Sequence, residues 1–150
     1  MQTNRSIPPS TIIPEVPYAD VREAAAWLCK AFGFTERLRI ANHRVQLTIG
    51  DGAIVVIEGS RPVQDDPRCG HAIMVRVEAL DQHFQRAQQF GVRVLRPPAT
   101  YPYGERQYTV EDPGGHVWTF SESVADVHPQ EWGGELMPEE SAEARGLLPR

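Results

Sequence analysis

The sequence predicts an α+β fold made of two tandem βαβββ modules. Two helical hydrophobic stripes end in a glycine, at Gly33 and Gly91, and each is followed by three short strand-like segments. In each module a glycine-rich turn joins the last two strands, at residues 50–52 and again at residues 112–115. A chain of 150 residues is long enough for one domain that holds both modules.

The first module is predicted over residues 11–58. It opens with a strand at residues 11–16, in which Pro14 favours a sheet edge because proline cannot donate a ladder hydrogen bond. Asp20 is placed to cap a helix whose apolar stripe of Val21, Ala25, Leu28 and Phe32 ends at Gly33. Three strands are then predicted at residues 35–40, 44–49 and 53–58.

The second module is predicted over residues 71–122 and repeats this order. A strand at 71–77 precedes a helical stripe that contains Leu80, Phe84 and Ala87, and strands follow at 92–95, 107–110 and 116–120. We expect residues 1–10 to be a flexible lead, residues 59–70 to be a polar loop and residues 123–150 to be a partly disordered tail, which Trp132 docks on the body.

The composition argues against two classes of partner. Fifteen Lys and Arg stand against 20 Asp and Glu, and the resulting formal charge of -5 would repel a nucleic-acid backbone. No run of apolar residues is long enough to span a membrane, and the first residues lack the plan of a secretory signal. We therefore expect a cytoplasmic protein that binds neither nucleic acid nor membrane.

Two segments of the second module carry a family resemblance. Residues 103–106 (Tyr-Gly-Glu-Arg) and 110–120, with their Asp-Pro-x-Gly-His-x-Trp pattern, resemble the C-terminal half of the vicinal-oxygen-chelate superfamily. That superfamily holds glyoxalase I, extradiol dioxygenases, and fosfomycin and bleomycin resistance proteins. Residues 16–20 and the helix that ends at Gly33 resemble the family's opening, so the likeness covers residues 11–122.

The resemblance implies several properties that the residue pattern alone does not. Paired modules of this family form a curved, U-shaped mixed sheet around a cavity, with the helices on the convex face, and most members are homodimers. Enzymatic members bind a divalent metal such as Zn, Ni, Mn or Fe through up to four His, Glu or Gln side chains, because such ions prefer nitrogen and oxygen donors.

When the family's metal positions are transferred to this chain residue by residue, most of them fall on residues that are not metal ligands. The first falls on Ile13, and the last falls on Thr119 in module two. If the turn at residues 50–52 is aligned with the turn at residues 112–115, Val56 is the residue of module one equivalent to Thr119. Only His71 offers a donor near the remaining position, one residue out of register, and a slip of one residue turns a side chain to the other face. We therefore expect no metal cofactor, with His71 as the single candidate ligand.

The catalytic residues, if any, stay unidentified, and His71 and Glu58 are the two candidates. An imidazole suits proton transfer near neutral pH, so His71 is either a general base or a strand-start histidine bonded to the backbone. Glu58 lies two residues after Val56 and would share its face as a base or a cation contact, or it is a solvated strand end.

The ligand contacts are expected on the strand face opposite the packed residues. Trp118 and Phe120 are predicted core, so their polar alternates should line the cavity and converge on one concave surface. Tyr103 and Arg106 are added from the family motif, where Arg106 either clamps an anion or pins the loop. The predicted ligand-binding set is Arg44, Gln46, Thr48, Glu58, Tyr103, Arg106, Gln107, Thr109 and Thr119.

The leading hypothesis is a member of this superfamily that binds a small organic molecule, a metabolite or an antibiotic, without metal. The alternative is a divalent-metal-dependent lyase, isomerase or dioxygenase of the same superfamily. A third hypothesis is a structural or regulatory dimer with a vestigial pocket. In each case the expected protein partner is a second copy of the chain.

Overall fold

The chain folds into two βαβββ modules, as the sequence predicts. A computed structural model describes residues 3–59 and 71–138, so the predicted loop at 59–70 lies almost wholly outside the described residues. The elements are β1 (Glu15–Tyr18), α1 (Val21–Phe32), β2 (Thr35–Ile40), β3 (Arg44–Ile49), β4 (Gly52–Glu58), β5 (Ala72–Arg76), α2 (Leu80–Gln89), β6 (Arg93–Thr100), β7 (Glu105–Glu111), β8 (Val117–Ser123) and a 3₁₀ turn (Pro129–Trp132).

Each module forms one four-stranded mixed sheet. Sheet one has the order β1-β4-β3-β2, and sheet two has the order β5-β8-β7-β6. The first strand of each module runs parallel to the last, whereas the other pairs are antiparallel. The predicted α+β class with two repeated modules is therefore confirmed.

The two helices start in different ways. Asp20 Oδ1 accepts a hydrogen bond from the Glu23 amide at 3.0 Å, and Gly33 ends α1 with φ 84°, which confirms both predicted ends. Helix α2 has no side-chain cap of its own. Instead, Glu122 of β8 accepts from the amides of Ala79 and Leu80 at 3.2 and 3.1 Å, which satisfies the first turn from outside the helix.

Several strand boundaries differ from the prediction by one to five residues, and the two largest differences, in β1 and β6, lie at prolines. β1 begins at Glu15, after Pro14, whose carbonyl accepts from the Val55 amide at 2.9 Å. β6 continues through Pro97 and Pro98 with two register shifts. Both strands lie at the edge of their sheets, where a missing ladder donor is tolerated.

One hydrophobic core joins the modules. The ring of Phe32, at the end of α1, lies 5.3 Å from Trp118 and 4.8 Å from Phe120 on β8. The helices contact each other, and each packs on the strands of its own module. We call the other side of each sheet, away from this core, its open face. Because both sheets turn their packed sides to the same core, the two open faces point away from each other within one chain.

Neither described helix is long and apolar enough to cross a membrane.

The 3₁₀ turn holds the first part of the predicted tail near the body, since the ring of Trp132 lies 5.4 Å from that of Tyr103.

Candidate functional site

The open face of sheet two carries a chain of polar side chains. Gln107 and Thr109 on β7 alternate with the buried Tyr108, and Thr119 and Ser121 on β8 alternate with the buried Phe120. The register sets Gln107 opposite Ser121 and Thr109 opposite Thr119. Period-two alternation therefore places the predicted residues of module two on one surface.

These side chains form a directed row of hydrogen bonds. Tyr103 donates its hydroxyl to Gln107 Oε1 at 3.1 Å, and Gln107 Nε2 donates to Ser121 Oγ at 2.9 Å. Ser121 in turn donates to Glu105 Oε1 at 2.8 Å, so the row ends on a carboxylate. A separate bond of 2.9 Å joins the hydroxyls of Thr109 and Thr119. The row fixes donors and acceptors in place before any ligand arrives.

An aromatic cluster borders this row. The rings of Tyr101 and Tyr103 are stacked at 5.4 Å and 4°, and Trp132 lies against Tyr103 at 60°. Trp132 is 46% exposed, so one side of the cluster is open. Sequence reasoning selected Tyr103 but missed Tyr101, Glu105 and Ser121. Ser121 could have been found, since it lies two residues after Thr119 on the same face.

The open face of sheet one is different, because the chain covers it. Gln46 lies on this face but is only 4% exposed. Its Nε2 donates to the Ser6 carbonyl at 2.8 Å, and its Oε1 accepts from Arg37 at 2.6 Å. Arg37 also donates to the Arg5 carbonyl at 2.9 Å. The segment of residues 3–10, expected to be a flexible lead, thus contacts the face where a ligand was expected.

The other predicted residues of sheet one are also engaged. Arg44 forms an ion pair of 3.3 Å with Glu15, and both lie on the open face. Thr48 faces Thr35 of β2, with its hydroxyl 3.5 Å from that residue's carbonyl oxygen. Since the two open faces point apart, the polar residues of modules one and two do not meet on one concave surface within one chain.

The structure corrects the match between Thr119 and Val56. Val56 is fully buried in the hydrophobic core opposite Val45, whereas Thr119 lies on the open face. The turn before β8 is longer than the two-residue turn before β4. An alignment of the two turns therefore shifts the residues of β4 by one position relative to those of β8. Val55 is the residue that occupies the position equivalent to Thr119. Glu58 shares the alternation of Val56, so it ends β4 exposed and off the open face.

Arg106 also lies on the core side of its strand rather than on the open face. Its guanidinium forms two hydrogen bonds, at 2.9 and 3.0 Å, with Asp81 in the first turn of α2. This pairing lowers the pKa of the Asp81 carboxyl below its usual range. The sequence left two roles open for Arg106, to clamp an anion or to anchor the loop. The observed contacts are those of an anchor, but they hold helix α2 rather than the loop.

The residues at the family's metal positions do not fit a divalent ion. The side chains of Ile13 and Val55 have no donor atoms, and the Thr119 hydroxyl is bonded to Thr109. His71 precedes β5 on the alternation of Ile73, which packs on the core, and is itself exposed. Within residues 3–59 and 71–138, no three His, Cys, Asp or Glu side chains come together as metal ligands would.

Two polar groups, the buried Asp112 and the half-buried His83, join the modules instead of facing a ligand. Asp112 accepts from the hydroxyl of Tyr18 and the indole of Trp118, and burial followed by the Asp112 charge raises the pKa of Tyr18. His83 on α2 bridges Tyr108 and the Phe32 carbonyl at 2.5 and 3.2 Å, and burial lowers its pKa. Both groups belong to the joint between the modules.

A groove of about 530 Å³ runs between the β3–β4 turn and β5. Ile12, Phe34, Ile49, Met74 and Val75 give it a largely apolar lining. None of the predicted ligand-binding residues lines it. The groove follows the unpaired side of β5, which within the described residues pairs only with β8.

A family model supports the architecture over most of the chain. The Glyoxalase/Bleomycin resistance protein/Dioxygenase superfamily model matches residues 13–120. No curated protein matches the chain significantly.

Solved structures of similar fold cover the same region. TioX from Micromonospora sp. ML1 is 31% identical, with a TM-score of 0.64 over 77% of this chain and 99% of its own. A glyoxalase/bleomycin resistance protein/dioxygenase from Alicyclobacillus acidocaldarius is 15% identical, with a TM-score of 0.63 over 79% and 95%. The fosfomycin resistance protein FosX from Mesorhizobium loti is 18% identical, with a TM-score of 0.59 over 77% and 92%. The latter two likenesses concern the fold alone.

Proposed function

The chain belongs to the glyoxalase/bleomycin resistance protein/dioxygenase superfamily, and from that premise we propose that it binds a small organic molecule, a metabolite or an antibiotic, without a metal ion. The site is the open face of sheet two. The hydrogen-bonded row from Tyr103 through Gln107 and Ser121 to Glu105 is the observation that carries this proposal.

The row is suited to binding because it is ordered and half-exposed. Tyr103, Glu105 and Gln107 are each partly accessible, so a ligand can meet their remaining donors and acceptors. The ring of Trp132 and the tyrosines beside it add apolar surface next to these polar groups. A few placed polar groups beside aromatic surface are typical of small-molecule sites.

Metal independence is proposed from the donor set. The apolar Ile13 and Val55 stand where a divalent ion would need side-chain ligands. A binding protein needs shape and polar anchors but no reactive metal. The alternative, a metal-dependent lyase, isomerase or dioxygenase, requires three converging donors, and the described residues do not bring three together.

A twofold homodimer would complete the cavity. β1 and β5 are edge strands, and within the described residues each pairs on one side only. Ile12 and Met74 beside them are 80% and 63% exposed. A dimer that sets β1 of one protomer beside β5 of the other would join two open faces around one cavity and cover both edges. A cytoplasmic location is proposed together with this role.

The test is a thermal-shift screen of the tag-free protein against metabolites and antibiotics. A ligand at 100 times its dissociation constant should add about 2.7 kcal/mol to the free energy of unfolding. Gln107→Leu should reduce that gain, whereas Gln85→Leu, the same substitution at an exposed position of α2, should retain it in full. A ligand whose effect is the same in the wild type and Gln107→Leu would move the site away from sheet two.

A further inference from the structure

The N-terminal segment, residues 3–10, is held on the open face of sheet one through its main chain. Gln46 Nε2 and Arg37 Nη2 donate to the consecutive carbonyls of Ser6 and Arg5. The bond from Arg37 Nη1 to Gln46 Oε1 fixes these two donors side by side. The pair therefore recognises two successive peptide carbonyls, a pattern that belongs to peptide main chain rather than to any particular side chain.

A second set of contacts extends the recognition towards the β3–β4 turn. Pro8 is buried, whereas its neighbour Pro9 is exposed. Ser10 Oγ donates to the Asp51 carbonyl at 2.8 Å. The two consecutive prolines restrict the backbone around residues 8 and 9 to extended conformations, so this part of the segment loses little conformational entropy when it binds.

We propose that the open face of sheet one is a peptide-binding surface that the chain fills with its own N-terminal segment. The partner it fits is a peptide in which a turn like that of residues 4–7 presents two successive carbonyls and is followed by a buried proline. This inference goes beyond the proposed small-molecule site on sheet two. A molecule that reaches the face of sheet one must displace the segment.

The test uses full-length variants and a fluorescent peptide with the sequence of residues 1–12. Pro8→Asp places a charge at the buried position and should release the segment without altering the surface. The peptide should then bind Pro8→Asp about tenfold or more tightly than the wild type, where the tethered segment competes at high effective concentration. Pro9→Asp, at the exposed neighbour, should behave as the wild type.

The double variant Pro8→Asp/Gln46→Leu should lose the binding, because its surface lacks the carbonyl donor. Equal binding to the wild type and Pro8→Asp, binding to neither, or full binding to the double variant would each overturn the proposal.

Hydrogen exchange on single variants gives a second measurement that does not depend on Pro8. Gln46→Leu should speed exchange within residues 5–10, while Gln107→Leu in module two leaves it unchanged. Equal exchange in the wild type and both variants would contradict the proposed surface.

Discussion

The Tyr18 hydroxyl donates a hydrogen bond of 2.5 Å to Asp112 Oδ2, which ties β1 of module one to the turn before β8 in module two. The same carboxylate accepts from the Trp118 indole at 3.0 Å and from the His116 amide at 2.9 Å. His116 Nε2 lies 2.6 Å from the Pro17 carbonyl, and because a carbonyl only accepts, this nitrogen carries the proton. The residues that produced the family resemblance thus build the joint between the modules.

Gly114 belongs to this joint for a steric reason. A Cβ at this position would lie 2.6 Å from ring atoms of Tyr18, closer than any real contact allows. The glycine therefore lets the turn pack directly on the tyrosine ring.

We predict that Tyr18→Phe destabilises the fold by about 1.5–3 kcal/mol. The variant removes a donor from a buried carboxylate and leaves that charge less well satisfied. Urea unfolding measures the change. Tyr103→Phe, whose hydroxyl bond lies at the half-exposed row, is the matched control and should cost less. Equal losses in the two variants would contradict a special role for the joint.

Trp118→Ala and Gln107→Leu should separate packing from binding. Trp118 is fully buried between Phe32 and Phe34, so its loss should cost about 3–5 kcal/mol of stability. Gln107→Leu should shift stability by about 1 kcal/mol or less, yet weaken a ligand found in the screen by about 1–3 kcal/mol. The reverse pattern would mean that the core and open faces of sheet two are exchanged.

Stability should depend on pH through His83. Burial is the main cause that lowers its pKa below the usual 6.5, and the positive charge of Arg86 acts in the same direction. The unfolded chain then binds more protons than the folded chain, so the contribution of His83 is complete above about pH 6.5 and decreases as pH falls below it. His83→Gln, which does not titrate, should show a shallower loss between about pH 7 and pH 5 in urea unfolding. An unchanged slope would remove His83 as the cause.

Elemental analysis of tag-free, dialysed protein should find no stoichiometric Zn, Ni, Mn or Fe, because the side chains of Ile13 and Val55 supply no donor atoms. Added Ni²⁺ or Zn²⁺ should also leave the unfolding midpoint unchanged. One ion per chain, lost in His71→Ala, would favour the metal-dependent alternative instead.

Sedimentation at micromolar concentration should give a dimer of the 16.8 kDa chain. Ile12→Glu should shift it towards monomer, because it places a charge beside the unpaired strand edge. Met137→Glu, at another exposed apolar residue, is the control. A monomeric wild type would leave the proposed cavity without its second half.

The sequence by itself determined the elements that depend on local chemistry. Asp20 and Gly33 mark the two ends of α1, because side-chain capping and a left-handed backbone conformation are properties of only a few residue types. The alternation of Gln107 and Thr109 with Tyr108 likewise placed these residues on the open face, because side chains of a strand point to opposite sides in turn.

Only the tertiary structure decided the features that depend on distant residues. The match of Thr119 to Val55 rather than Val56 depends on turn length, and a slip of one residue exchanges the faces. Gln46 lies on the predicted face, but residues 3–10 cover it. The two open faces point away from each other because both sheets pack against one core, which contains Phe32, Trp118 and Phe120. Burial of apolar surface between remote segments is non-directional, so no periodicity along the chain could reveal which faces it brings together.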